Sequence, residues 1–91
     1  MIKYVLYTFH TTSKAMESEI LLEKKNIKSR LVPLLPEIDA GCGLALRFSI
    51  DYKDEVENLF EKMNLKFQDR FILIYEENKR KPKVIDYDIS R

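Results

Sequence analysis

Apolar and polar positions alternate with two different periods along this chain. Lys3 to Phe9 (KYVLYTF) is short, rich in Val, Tyr and Phe, and closed by the polar run His10-Thr11-Thr12-Ser13, which predicts a strand. Thr12 or Ser13 can cap a following helix, in which Ala15, Met16, Ile20 and Leu22 recur at helical spacing until Asn26 stops it. Ile27 to Val32 begins a second strand that Pro33 ends or pushes to an edge. Residues 33–40 carry two prolines and predict a stiff loop with one helical turn at its end. Leu44 to Ile50 alternates large apolar side chains with Ala45, Arg47 and Ser49, the clearest strand pattern in the chain. Asp51 to Met63 sets Val56, Leu59, Phe60 and Met63 at spacings of three and four behind acidic Asp51, Asp54 and Glu55, predicting a second helix. Arg70 to Tyr75 reads as the last core strand. Val84 to Ile89 places Ile85, Tyr87 and Ile89 on one face, an added edge strand able to pair with a neighbouring subunit.

The order strand, helix, strand, strand, helix, strand predicts an α+β fold, a ferredoxin-like βαββαβ two-layer sandwich with an antiparallel sheet and both helices on one face. Residues 1–77 form that domain, and residues 78–91 form a basic hinge (Lys79-Arg80-Lys81-Pro82-Lys83) and a C-terminal tail. Tyr4 to Phe9 and Phe71 to Tyr75 are apolar at consecutive positions, so both sheet faces are expected to be covered. A homodimer, or the tail folded across the sheet, would supply that cover.

Composition narrows the function. The 91 residues are 45% hydrophobic and 34% charged with a formal net charge of +1, which describes one small domain. Charged residues interrupt every apolar run well short of the ~18 positions a membrane span needs. The first residues read as strand rather than as a secretory signal, so a cytoplasmic protein with no membrane partner is expected. Near-zero net charge argues against nucleic-acid binding. A chain this short buries only about 60–65% of its unfolded surface, so self-association would add to a thin stability margin. The single cysteine excludes an internal disulfide, and Cys42 with His10 cannot build a four-ligand zinc site. No cofactor is implied.

Glycine usage directs attention to that cysteine. Average composition predicts about six glycines in this length, and the chain has two, Gly41 and Gly43, on either side of Cys42. Glycine admits backbone angles other residues avoid and leaves room for an approaching molecule. Two readings follow: a turn into a strand with Cys42 packed as a small hydrophobe, or a reactive sulfur held clear of neighbouring side chains. A dinucleotide fingerprint is excluded, because Leu46 stands where its third glycine belongs and the motif precedes a strand. The predicted topology brings three elements to one sheet edge: Phe9-His10, the start of the first helix, and the cysteine turn. A thiol beside a helix N-terminus gains thiolate character. His10 could add charge or shuttle a proton, or be an ordinary loop residue. Glu19 lies beside the apolar stripe of the first helix and, if it turns inward, needs a partner such as Arg47 or Arg30. Arg47, between Leu46 and Phe48, faces away from the helices, as a structural ion pair or a substrate contact.

The stretch Arg30-Leu31-Val32-Pro33, Glu37-Ile38 and Gly41-Cys42-Gly43-Leu44-Ala45-Leu46-Arg47-Phe48, preceded by Thr8-Phe9 and a helix containing Ala15 and Glu19, resembles the selenium/sulfur (Se/S) carrier-like family. The resemblance spans about Tyr4 to Tyr75, and Cys-Gly-x-Ala-x-Arg is its most specific part. It implies that Cys42 is the position that carries sulfur or selenium, with Gly43, Ala45 and Arg47 as motif neighbours. Leu35 and Pro36 depart from the family's loop, and the tail is an addition. The expected function is a non-enzymatic carrier in which the Cys42 thiolate accepts a persulfide or perselenide from a donor protein and passes it to an acceptor. The alternatives are a dimeric ferredoxin-like module that binds a partner or small ligand, and an enzyme with Cys42 as nucleophile and His10 as base. A metal site from Cys42, His10 and Glu19 has no ligand spacing to support it.

Overall fold

The computed structural model describes residues 1–35, 38 and 41–90. It is an α+β structure: β1 (Ile2–Thr8), α1 (Thr12–Lys24), β2 (Ser29–Pro33), β3 (Leu44–Ser49), α2 (Lys53–Lys62), β4 (Arg70–Tyr75) and β5 (Lys83–Asp86), with short 3-10 turns at Ile50–Tyr52 and Tyr87–Ser90. The strands form one antiparallel sheet in the order β2-β3-β1-β4-β5. The fifth strand, at the β4 edge, separates this order from the simple four-stranded ferredoxin one.

Each helix is bounded by chemistry readable in the sequence. The cap of α1 is Thr11, one residue earlier than the sequence suggests, because its hydroxyl accepts from the Lys14 amide at 3.2 Å. Asn26 and Asn64, at φ 60° and 53°, turn the chain left-handed just after α1 and α2. Asparagine at these positions, and at Asn78 (φ 66°), does work often given to glycine, which is why so few glycines suffice.

The buried face of α1 differs from the expected stripe. Ala15, Ser18 and Leu22 meet the sheet, while Met16 and Ile20 are half exposed, at 52% and 51%. Two small residues at this spacing let the helix approach β2 and β3 closely, and the Ser18 hydroxyl is satisfied by donating to the Lys14 carbonyl at 2.8 Å. On α2, Val56 and Phe60 are buried, and Met63, expected on that stripe, stands 52% exposed.

The helix-side core joins Val5, Tyr7, Phe9, Leu46, Phe48 and Ile72 to Leu22, Val56 and Phe60. The opposite sheet face has its own cluster, Leu6, Ala45 and Leu73, covered by Leu34, Leu35 and Ile38 of the β2–β3 connection. The cover of the second face is therefore this loop, and the tail does not fold across the sheet. The Ile38 amide donates to the Leu35 carbonyl at 2.9 Å; the helical turn expected at the end of this segment falls on residues 36, 37, 39 and 40, which lie outside the described residues.

The tail supplies the expected edge strand, shorter than the alternation suggests. Its strand pairs with β4 of the same chain and stops at Asp86, whose carboxylate accepts from the Asp88 amide at 3.2 Å and bends the backbone out of the sheet. Tyr87 leaves the strand pattern and is only 2% exposed in the helix-side core. The side chain of Ile89 lies outside the described residues. No helix of the described residues is long and apolar enough to cross a membrane.

Tyr87 thus fastens the tail. Tyr87→Ala should cost about 3 kcal/mol or more of unfolding free energy, as removal of a buried aromatic ring does. Tyr87→Phe should cost about 1–2 kcal/mol by removing a hydrogen bond to a charged acceptor. Urea denaturation of the two variants measures both, and equal losses would contradict the packing role of the ring.

Candidate functional site

Hydrogen bonds at one end of the sheet build the cysteine turn. Thr8, the last residue of β1, is fully buried; its hydroxyl accepts from the Asp69 amide at 2.9 Å and donates to the Asp69 carbonyl at 3.3 Å. The Gln68 amide donates to the Thr8 carbonyl at 2.7 Å, which fixes the side chain of Gln68 beneath the turn. Gln68 Oε1 then accepts from the Gly41 amide at 2.9 Å, and the Cys42 amide donates to the Phe9 carbonyl at 3.3 Å. The turn is clamped between the end of β1 and the segment leading into β4, two residues from the Thr11 cap of α1. Sequence reasoning did not find Gln68; a lone polar side chain in a loop carries no spacing that would mark it.

The two glycines answer to different constraints. A Cβ on Gly41 would lie 2.9 Å from the His10 carbonyl oxygen and 3.0 Å from its Cα, so close backbone approach requires glycine. Gly43 adopts φ +78°, and a Cβ there would meet no atom within 4 Å. A side chain at Gly43 would therefore enter open space, whereas one at Gly41 would meet fixed backbone.

Cys42 itself is half-buried against the helix-side core, and its S–H donates to the Leu44 carbonyl at 3.4 Å. Neither expected reading fits alone: the sulfur is neither sealed in nor fully presented. His10 is exposed and its backbone lies against Gly41; among the described residues no hydrogen bond joins it to the sulfur. Ala45 and Arg47 lie on the other sheet face, so the structure does not bring them to Cys42. Ala45 packs beneath the covering loop, while the Arg47 guanidinium lies 4.5 Å from the centre of the Tyr4 ring and donates to the Tyr75 hydroxyl at 3.4 Å. Glu19 pairs with neither arginine. Its carboxylate accepts from the Leu31 amide at 3.2 Å and so occupies an outward N–H of edge strand β2. Among the described residues no three His, Cys, Asp or Glu side chains are grouped to hold a metal ion.

A second polar cluster lies at the sheet edge bordered by the tail. Arg70 sits over Tyr87 and Phe67, at 4.0 and 4.7 Å from the ring centres, and Lys53 lies 4.3 Å from the Tyr87 ring. The Tyr87 hydroxyl donates to Glu57. The Tyr7 hydroxyl is enclosed without a hydrogen-bond partner, and the Arg70 guanidinium lies 5.7 Å from its ring centre. Burial pushes the Tyr7 pKa above its ordinary 10.0, against the pull of Arg70. Burial also pushes Tyr87 up, reinforced by its hydrogen bond to Glu57.

Comparison with protein families matches residues 3–71, more than half of the chain, to the family described as "Putative Se/S carrier protein-like", and the chain belongs to that family. No curated protein and no solved structure matches it.

Two outcomes test this geometry. Both tyrosines hold their protons in the folded state beyond the pH at which the unfolded chain releases them, so stability is present below pH 10 and lost as pH rises through it. Unfolding free energy should fall above pH 10 by up to about 1.4 kcal/mol per pH unit for each tyrosine, and denaturation of Tyr87→Phe in that range should show a shallower fall. Gly43→Ala should cost about 1 kcal/mol for the left-handed backbone alone. Gly41→Ala should cost more, since its Cβ meets fixed backbone, and thermal denaturation ranks the pair.

Proposed function

We propose that the chain is a sulfur or selenium carrier whose Cys42 holds the cargo atom as a persulfide or perselenide. The observation that carries this reading is a single half-exposed cysteine of a carrier-family chain, in a turn whose Gly43 side is open space. The fold serves it as a ferredoxin-like unit of β1 to β4 with both helices, extended by β5. The chemistry needs one sulfur and no resolving thiol. The Cys42 thiolate attacks the outer sulfur of a donor persulfide; the new S–S bond forms as the donor's S–S bond breaks, and the donor cysteine leaves as a thiolate. The cargo sulfur enters already oxidised to the sulfane level, so no separate oxidant is consumed. An acceptor nucleophile then takes the outer atom and returns Cys42 to the thiolate. A lone thiol of this kind suits a reducing, cytoplasmic setting.

A second reading, an interaction module with Cys42 as packing, draws on the S–H donation to Leu44 and on the contact with the core. Incubation with a cysteine desulfurase and labelled cysteine separates the two. Carriage predicts a mass gain of one sulfur atom that a reductant removes and Cys42→Ser abolishes. An unchanged mass under conditions that load a known carrier, with Cys42 as slow toward thiol reagents as a buried control cysteine, would leave the packing role.

A further inference from the structure

We infer that Glu19 guards the β2 edge of the sheet, and that its carboxylate keeps β2 from pairing with β2 of a second copy of this chain. A sheet edge presents backbone N–H and C=O groups with which another strand can pair. Which residues of β2 present them follows from the ladder. Arg30 and Val32 stand opposite Arg47 and Ala45, and the Leu34 amide, next in that alternation, donates to the Gly43 carbonyl at 3.1 Å. The even-numbered residues therefore bond to β3, and Ser29, Leu31 and Pro33 turn their backbone groups outward.

Of these three, Pro33 has no N–H to offer, and the Leu31 N–H is taken by Glu19 of α1, which accepts it at 3.2 Å. Only the Ser29 N–H is left as an outward donor. The edge is otherwise self-complementary. An antiparallel pairing about a two-fold axis through Leu31 sets Leu31 against Leu31 of the second copy and Ser29 against Pro33 of the second copy, with side chains kept on matching faces. Four hydrogen bonds would close that contact: the Leu31 pair exchanges two, each Ser29 donates one to a Pro33 carbonyl, and Glu19 blocks the Leu31 pair. No like charges meet in this register, since Arg30 falls opposite Val32. A cleft of about 420 Å³ bordered by Glu19, Lys28 and Ser29 lies alongside, so one side chain decides whether a strand can enter. The opposite edge relies on other means: β5 is four residues long, begins with Lys83 and ends at Asp86, where the chain leaves the sheet. The role of Glu19 does not depend on that of Cys42.

Sedimentation equilibrium of the full chain over a range of concentrations tests the inference, together with hydrogen exchange at the Leu31 amide. Glu19→Ala should rise with concentration toward twice the native mass. Glu19→Gln, whose side-chain carbonyl still accepts from Leu31, should keep the native mass. Adding Ser29→Pro to Glu19→Ala removes the remaining outward donor and should restore the native mass. In the native chain the Leu31 amide should exchange about tenfold or more slowly than the Ser29 amide, a comparison that needs no variant. A Glu19→Ala chain at the native mass throughout, a dimer that survives Ser29→Pro, or a Leu31 amide that exchanges as fast as that of Ser29 would overturn it.

Discussion

Burial of β1 on both faces is the constraint on which the rest of the molecule depends. Val5 and Tyr7 point to the helices and Leu6 and Thr8 to the other side, and none is more than 1% exposed. One layer of helices covers only half of such a strand, so a second cover is required. The β2–β3 connection provides it with Leu34, Leu35 and Ile38, which accounts for so apolar a segment between strands. Ala45 makes the crossing feasible: a larger side chain at that fully buried position would hold the loop off Leu6 and Leu73.

Much of this architecture is legible in the sequence because it follows from period and punctuation. The alternation from Leu44 to Ser49 and the apolar run from Arg70 to Tyr75 mark their strands to within a residue. The position of Cys42 beside the end of β1 follows from topology once the strand order is inferred. What escaped reading was decided by tertiary contacts. Met16 and Ile20 have the hydrophobicity of a core face, yet α1 buries Ala15 and Ser18 because small residues gain more from close approach than large ones from partial burial. Tyr87 fits the alternation of an edge strand, but a pocket edged by Arg70, Lys53 and Glu57 lies one turn away and draws the chain out of the sheet. The need for cover on both faces was visible in the sequence, whereas the identity of the covering segment was not, since apolar loop residues name no target.

The cysteine motif illustrates how strand parity divides a sequence signature. Cys-Gly-x-Ala-x-Arg reads as one unit in the chain, yet Cys42 packs toward the helix-side core while Ala45 and Arg47 occupy the opposite face. Its residues therefore answer to separate demands. Gly41 and Gly43 shape the turn, Ala45 admits the loop, and Arg47 is held by two tyrosines on a surface the sulfur does not share.

That division bears on how the proposed carrier would operate. Catalysis in one pocket would need nucleophile, base and charge stabiliser within reach of the same atoms; among the described residues, the exposed His10 side chain and the Arg47 guanidinium are not gathered around Cys42. A carrier has no such need, because donor and acceptor each bring their own catalytic groups and require only an approachable sulfur. The clamp formed by Thr8, Phe9 and Gln68 meets that requirement from below, and the side-chain-free Gly43 meets it from above. The half-buried state of Cys42 then fits carriage: hydrogen bonds fix the turn's backbone, and the S–H is held by a weak donation to the Leu44 carbonyl and by packing against the core.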